Sequence, residues 1–206
     1  MNIFFMTKSN TSQIEWKPMI SNGELIYFPN FLNLNKANKL FFRIKNTITW
    51  QQDPIKVFGK TYIQPRLTSF HSLDRKKYSY SNIKLEPKVM TKELIYLKNK
   101  ITKVYDCELN SVLLNLYRDG KDSNGWHADD EKELGLNPLI ASISLGQERV
   151  FHLKHRRNKN EKFKIKLKHG SLLIMGGAMQ HNWLHQIPKT SKVISDRINL
   201  TYRKII

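Results

Sequence analysis

Three features of the sequence predict an α+β fold with an antiparallel jelly-roll in its C-terminal half. Helical periodicity is confined to two segments of the first half. Six short segments rich in branched residues fill the second half. Turn signals such as Asp119-Gly120, Asn124-Gly125, His169-Gly170 and Gly176-Gly177 separate those segments. Short strands at such spacing make a sandwich or barrel, and 206 residues suffice for one such domain with a helical layer.

Taken in order, Leu-Ile-Tyr-Phe-Pro-Asn-Phe at 25–31 is expected to be a strand ended by Pro29. Asn33 or Asn35 then caps a helix that carries Leu34, Ala37, Leu40, Phe41, Ile44 and Ile48 at helical spacing. A second helix runs from Thr91 to about Val104, with Leu94, Leu97, Ile101 and Val104 on one face. The expected strands are Ser111–Tyr117, Leu139–Leu145, Arg149–Leu153, Phe163–Leu167, Ser171–Met175 and Arg197–Arg203.

Composition bounds the function. Lys and Arg total 35 against 17 Asp and Glu, a formal charge of +18 that favours polyanionic partners through counterion release. Hydrophobic content of 40% and charged content of 25% are those of a globular protein. The single Cys107 excludes an internal disulfide. No apolar run reaches the roughly 18 residues of a membrane span. The opening Met1–Met6 is too short and too weakly basic for a secretion signal, so an intracellular protein is expected.

The chemistry starts at Trp126-His127-Ala128-Asp129-Asp130. Alternate side chains of an extended backbone share a face, so His127 and Asp129 can meet at one divalent ion. A third ligand could come from His181 or His185 downstream; the alternative for either is a packed ring beside Trp183. Two histidines and a carboxylate form a facial triad with open positions, as in iron(II) oxygenases. A closed zinc site would need four protein ligands, usually with thiolates.

The last predicted strand is independent of this triad. Arg197, Asn199, Thr201 and Arg203 share one face, and Ile198, Leu200 and Tyr202 share the other. Two arginines on an inward face are costly without an anion, and a dicarboxylate is a suitable one. Asn115 and Tyr117 share a face by the same rule. A solvent-facing edge strand would show the same alternation.

Together, His127-x-Asp129, His185 and Arg197-x-Asn199-x-Thr201-x-Arg203 resemble the AlkB-type 2-oxoglutarate and iron(II)-dependent nucleic acid dealkylases. The resemblance spans residues 25–206 and includes Asn115-Leu116-Tyr117-Arg118-Asp119-Gly120 and His169-Gly170-Ser171-Leu172-Leu173. It implies a double-stranded β-helix core at 106–206 and a nucleotide-recognition layer at 25–105; residues 1–24, which the resemblance does not cover, are expected to be a flexible N-terminus. His127, Asp129 and His185 would bind Fe(II), with His185 chosen over His181 by its spacing from the last strand. Asn115, Tyr117, Arg197, Thr201 and Arg203 would bind 2-oxoglutarate, with Arg203 on its distal carboxylate.

The same resemblance assigns substrate contacts. Val57, Phe58 and Gly59 match a hairpin tip of the family's duplex-DNA branch, whose aromatic residue fills the space of a flipped base. Tyr78 and Tyr80 would belong to a lid over that base, and Asp130 would face its amino edge. Arg66 could pair with that carboxylate or with a phosphate. Where the family commonly has Tyr-Gly-Asp in its lid, this chain has His71-Ser72-Leu73. The implied activity is removal of N-linked methyl groups of the 1-methyladenine and 3-methylcytosine type from duplex DNA. Nothing in the sequence suggests an obligate partner, so a monomer is expected. Fe(II), O2 and 2-oxoglutarate are consumed or cycled, and formaldehyde, succinate and CO2 released. The rival readings are the same chemistry on RNA or single-stranded DNA, an oxygenase of a protein or small molecule, and a non-catalytic binding module.

Overall fold

The computed structural model describes residues 16–57, 60–76, 78–80 and 83–206, with backbone alone at 55–57, 60, 78–80 and 83–84. The N-terminal half holds β1 (Glu24–Phe28), α1 (Leu34–Thr47), β2 (Pro54–Val57), β3 (Lys60–Ile63), β4 (Leu67–Ser72), β5 (Tyr78–Tyr80), β6 (Ile83–Leu85), β7 (Lys88–Val89) and α2 (Lys92–Thr102). The C-terminal half holds β8 (Ser111–Tyr117), β9 (Asn124–His127), β10 (Ile140–Gly146), β11 (Arg149–His155), β12 (Lys162–Leu167) and β13 (Ser171–Gly176). The short helix α3 (Met179–Asn182), β14 (Trp183–Ile187) and β15 (Arg197–Arg203) complete it.

Two sheets make the barrel. The larger has seven strands in the order β1-β13-β10-β15-β8-β4-β7, and the smaller has four in the order β12-β11-β14-β9. Alternation along the strands divides the core in two. Val112, Leu114 and Leu116 of β8 and Ile198, Leu200 and Tyr202 of β15 join the helices in one apolar cluster. Leu113 and Tyr117 of β8 join Phe151, Leu153, Ile165 and Trp183 of the smaller sheet in the other. The jelly-roll interior therefore lies between the sheets, and α1 and α2 cover the back of the larger one.

The helices form where expected, and each has a working cap. Asn33 accepts the Lys36 N–H at 2.9 Å, and Thr91 accepts the Leu94 N–H at 3.5 Å. Ala37, Leu40 and Ile44 of α1 and Leu94, Leu97 and Ile101 of α2 are buried. Each buried Leu or Ile is worth about 1.5–3 kcal/mol of transfer free energy. Tyr202 also donates to the Leu94 carbonyl at 2.9 Å, which locks α2 to β15.

Three expectations need correction. Asn124-Gly125 is not a turn but the start of β9, because pairing with β14 overrides the local turn preference. His71-Ser72 is not in a lid. It ends β4, where His71 pairs with Val112 of β8 and its ring bridges Ser69 Oγ at 3.1 Å and the Val89 carbonyl at 2.7 Å. The N-terminal stretch expected to be flexible is anchored from residue 16 onward: Trp16 exchanges two backbone hydrogen bonds with Tyr27, at 2.9 and 2.8 Å. The Trp183 indole N–H donates to the Ser21 carbonyl at 2.8 Å. The strands β4, β9 and β14 carry no clean alternation and were not predicted. Among the described residues no helix is long and apolar enough to cross a membrane.

Candidate active site

Neighbouring strands of the smaller sheet bring the metal-ligand candidates together. His127 ends β9, and His185, in the middle of β14, is its direct cross-strand partner, with ring centroids 4.2 Å apart. Asp129 follows two residues after His127. One ligand atom from each of His127, Asp129 and His185 lies within 4.8 Å of the others. His181, the competing candidate, is exposed, and its Nε2 accepts the Asn137 N–H at 3.3 Å.

The hydrogen-bond shell fixes these groups. His127 Nδ1 donates to the Gly125 carbonyl at 2.7 Å, since a carbonyl can only accept, and this leaves Nε2 as the nitrogen with a lone pair. Gln180 Oε1 accepts the Asp129 N–H at 3.0 Å, and Arg203 Nη2 donates to Asp129 Oδ1 at 3.2 Å. Burial pushes the His185 imidazole down to about 3, reinforced by His127 and opposed by Asp129. Burial lowers His127 as well. Burial alone would raise the Asp129 carboxyl; Arg203, His185, His127 and Arg66 together hold it below the usual carboxylate range. At pH 7 the site thus offers two neutral imidazoles and one carboxylate, the protonation states a divalent metal requires.

The adjacent pair β8 and β15 supplies the second half of the site. Arg197 lies opposite Tyr117 and Asn199 opposite Asn115. β15 is central in its sheet, so its polar face is the barrel interior and not a solvated edge. Arg197 and Arg203 are each 1% exposed. Arg197 Nη2 donates to Ser144 Oγ at 2.9 Å, and its guanidinium carbon lies 5.1 Å from the Tyr117 ring centroid. Burial brings the Arg197 guanidinium down to about 10, so it stays charged at pH 7. Asn199 Nδ2 donates to Ser142 Oγ at 2.7 Å, and Thr201 Oγ1 donates to Asn199 Oδ1 at 3.1 Å. Asn115, Tyr117, Arg197, Thr201 and Arg203 line one cavity with His127, Asp129 and His185.

Sequence reasoning misplaced one residue and missed several. Arg66 does not pair with Asp130: it is 3% exposed, donates from Nε to Asn115 Oδ1 at 2.7 Å and from Nη1 to the Ser123 carbonyl at 3.2 Å. Because Asn115 Oδ1 is taken, its amide N–H2 is the end left for a ligand. Asp130 is exposed and paired with Arg156 at 2.9 Å. Phe58 and Gly59 lie outside the described residues, as do the side chains of Val57, Tyr78 and Tyr80. Ser142, Ser144 and Gln180 were missed. For the serines a signal existed: they alternate with Ala141, Ile143 and Leu145 in an otherwise apolar strand, which places them on one face.

Comparison with known proteins agrees with this geometry. Residues 24–203 match the family model described as the 2OG-Fe(II) oxygenase superfamily. The chain is 39% identical over 186 residues to the bovine protein named alpha-ketoglutarate-dependent dioxygenase alkB homolog 3, covering 86% of this chain and 64% of that one. It is 35% identical over 201 residues to the human protein named DNA oxidative demethylase ALKBH2, covering 93% of this chain and 77% of the relative. The alkB homolog 3 relatives are thus matched over less than two thirds of their length. A solved structure titled as that of OsALKBH1 superposes with a TM-score of 0.61 at 16% identity, covering 91% of this chain and 99% of that one, which shows a shared fold. With the triad, the paired arginines and these relatives together, the chain belongs to the AlkB-like proteins of the 2OG-Fe(II) oxygenase superfamily.

Proposed function

We propose that this chain is an oxidative dealkylase of N-methylated bases in DNA, acting as a monomer on duplex substrate. One observation carries the reading: His127, Asp129 and His185 share a single cavity with Arg197 and Arg203.

The residues fit the family's cofactors. Two imidazoles and a carboxylate suit Fe(II) and leave coordination positions for ligands. Arg197 Nε and Nη1 are buried with no hydrogen-bond partner among the described residues, which suits an incoming carboxylate. Arg203 already bonds the metal-ligand candidate Asp129, so Arg197, beside Tyr117 and Ser144, is the better partner for the distal carboxylate of 2-oxoglutarate. This exchanges the roles that the sequence suggested. When bound, Fe(II), 2-oxoglutarate and O2 supply the oxidation that converts an N-methyl group to a hydroxymethyl group, which leaves as formaldehyde.

The chain's own contribution is positional. Arg203 and Gln180 hold Asp129 from two sides, and Arg66 turns the Asn115 amide toward the cavity. Leu113, Phe151, Leu167, Met175 and Ile187 line the remaining wall and keep it apolar. Outside, the net charge of +18 supports a phosphate backbone as partner. Duplex preference rests on the Val57-Phe58-Gly59 sequence, whose Val57 ends β2 and pairs with Lys60 of β3. The name of the human relative, DNA oxidative demethylase ALKBH2, supports DNA as substrate.

Formaldehyde release from duplex DNA carrying 1-methyladenine, with Fe(II) and 2-oxoglutarate supplied or withheld, tests the activity. Release is expected only when both are present, and His127→Ala is expected to abolish it. Phe58→Ala is expected to lower turnover of the duplex and spare the single strand. Equal turnover of the two substrates by the unmodified chain would exclude duplex preference.

A further inference from the structure

Arg149, at the start of β11, is a buried cation that no motif explains. It is 5% exposed, yet none of its hydrogen bonds goes to a carboxylate. Its Nη1 donates to the Asp119 carbonyl at 3.2 Å, and its Nη2 donates to the Asp122 carbonyl at 3.1 Å and the Pro188 carbonyl at 2.6 Å. Those carbonyls belong to two loops. One joins β8, with Asn115 and Tyr117, to β9, with His127; the other follows β14, with His185. The loops touch closely: Thr190 N donates to the Gly120 carbonyl at 2.8 Å, and a Cβ on Gly120 would lie 2.4 Å from the Thr190 carbonyl oxygen.

The same guanidinium also lies near Tyr117, a residue that lines the proposed cosubstrate pocket. Its carbon lies 5.8 Å from the Tyr117 ring centroid, over the ring that the Arg197 carbon approaches at 5.1 Å. Two buried cations thus share one phenol. Proximity to the ring is favourable to each cation, but the two charges repel, and Arg149 lowers the affinity of the Arg197 guanidinium for its proton. A fold clamp alone needs no such arrangement, because a neutral amide can donate to loop carbonyls. An anion arriving at Arg197 relieves the repulsion, which favours a ligand that ends in a carboxylate over one with a neutral end.

We infer that Arg149 is a positioning residue for the cosubstrate, holding Tyr117 and adding its charge to the subsite in which Arg197 receives the distal carboxylate. The inference rests on the proposed function, since it needs 2-oxoglutarate as the ligand.

Calorimetry on the Mn(II)-loaded chain tests it, with Mn(II) and 2-oxoglutarate as probes. Arg149→Gln is expected to weaken 2-oxoglutarate binding by about tenfold while Mn(II) binding stays within about twofold. In a Tyr117→Phe background the same change is expected to cost less, because the two residues act together. Unchanged 2-oxoglutarate affinity would overturn the inference. So would a parallel loss of Mn(II), which marks a mere loop clamp, or strict additivity with Tyr117→Phe. Should Arg149→Gln fail to fold, Arg149→Lys keeps the charge and loses the three-way contact, and a several-fold loss confined to 2-oxoglutarate is expected there. Failure of the unmodified chain to bind 2-oxoglutarate would instead remove the dealkylase reading itself, visible before any variant is made.

Discussion

Asn124 Nδ2 donates to Nε2 of His127 at 3.1 Å, the nitrogen whose lone pair a metal ion needs. The donor sense follows from the other side of the ring, where Nδ1 is committed to the Gly125 carbonyl. Metal binding must break this bond, and a typical net hydrogen bond is worth about 0.5–1.5 kcal/mol. Asn124→Val is therefore expected to tighten Mn(II) binding by roughly two- to tenfold. Titration of the metal into both chains checks this. Weaker binding in the variant would show that Asn124 supports the ligand set and does not compete with it.

Arg197 sets stability against function. Its guanidinium is charged and 1% exposed, and two of its three nitrogens have no hydrogen-bond partner among the described residues. Such a group destabilises the protein without its anion. Arg197→Met is expected to raise the unfolding free energy by about 1–3 kcal/mol, or several degrees in Tm, and to abolish 2-oxoglutarate binding. In the unmodified chain, added 2-oxoglutarate with metal is expected to raise Tm by mass action, and in the variant it should do nothing. Thermal melts with and without the ligand decide it. A less stable variant would mean that the Ser144 and Tyr117 contacts already compensate the buried charge.

What the sequence made legible follows from periodicity. β15 alternates without interruption, so Arg197, Asn199, Thr201 and Arg203 were placed on one face correctly. The helices were legible because Asn33 and Thr91 cap clean apolar stripes. β9 and β14 were not, because a turn-forming Asn124-Gly125 and a mixed Trp183–Ile187 gain their strand form only from pairing with each other. Long-range polar partners were the other blind spot. Arg66 reaches Asn115 across 49 residues and Arg203 reaches Asp129 across 74, and no local pattern encodes either contact. The proposal that gives the distal carboxylate to Arg197 in place of Arg203 rests on the Arg203 contact to Asp129: spacing places a residue on a face, but only the fold says which other groups it meets there.

The thiol of Cys107 offers a simple pH test. Burial, with Asp106 adding and Lys98 subtracting, pushes it up to about 11. The thiolate is the reactive form, so alkylation by iodoacetamide at pH 8 is expected to run well over tenfold slower than for a free thiol of pKa about 8.5. The rate should keep rising to pH 10 and beyond. A plateau near pH 9 would show that the thiol is ordinary.

Asp122 controls the acid limb of stability at the loop that Arg149 clamps. Its carboxylate accepts the Arg118 N–H at 2.9 Å and the Arg118 Nε–H and Nη2–H at 2.8 and 3.0 Å. Burial alone would raise this carboxyl, but the Arg118 contacts outweigh it and hold it below the usual range. A carboxyl lowered on folding adds stability above its unfolded value, near 3.9, and that stability is lost as pH falls through the folded value. Arg118 is 46% exposed, so water screens the pair and moderates its worth. Asp122→Asn is expected to cost roughly 1–2 kcal/mol at pH 7. The difference from the unmodified chain should shrink steadily below about pH 4, as the native carboxyl takes up its proton. Denaturant melts of both chains from pH 7 down to pH 3 measure it. A gap that stays constant across that range would place the loss in packing or hydrogen-bond geometry and leave the Asp122 charge without a role.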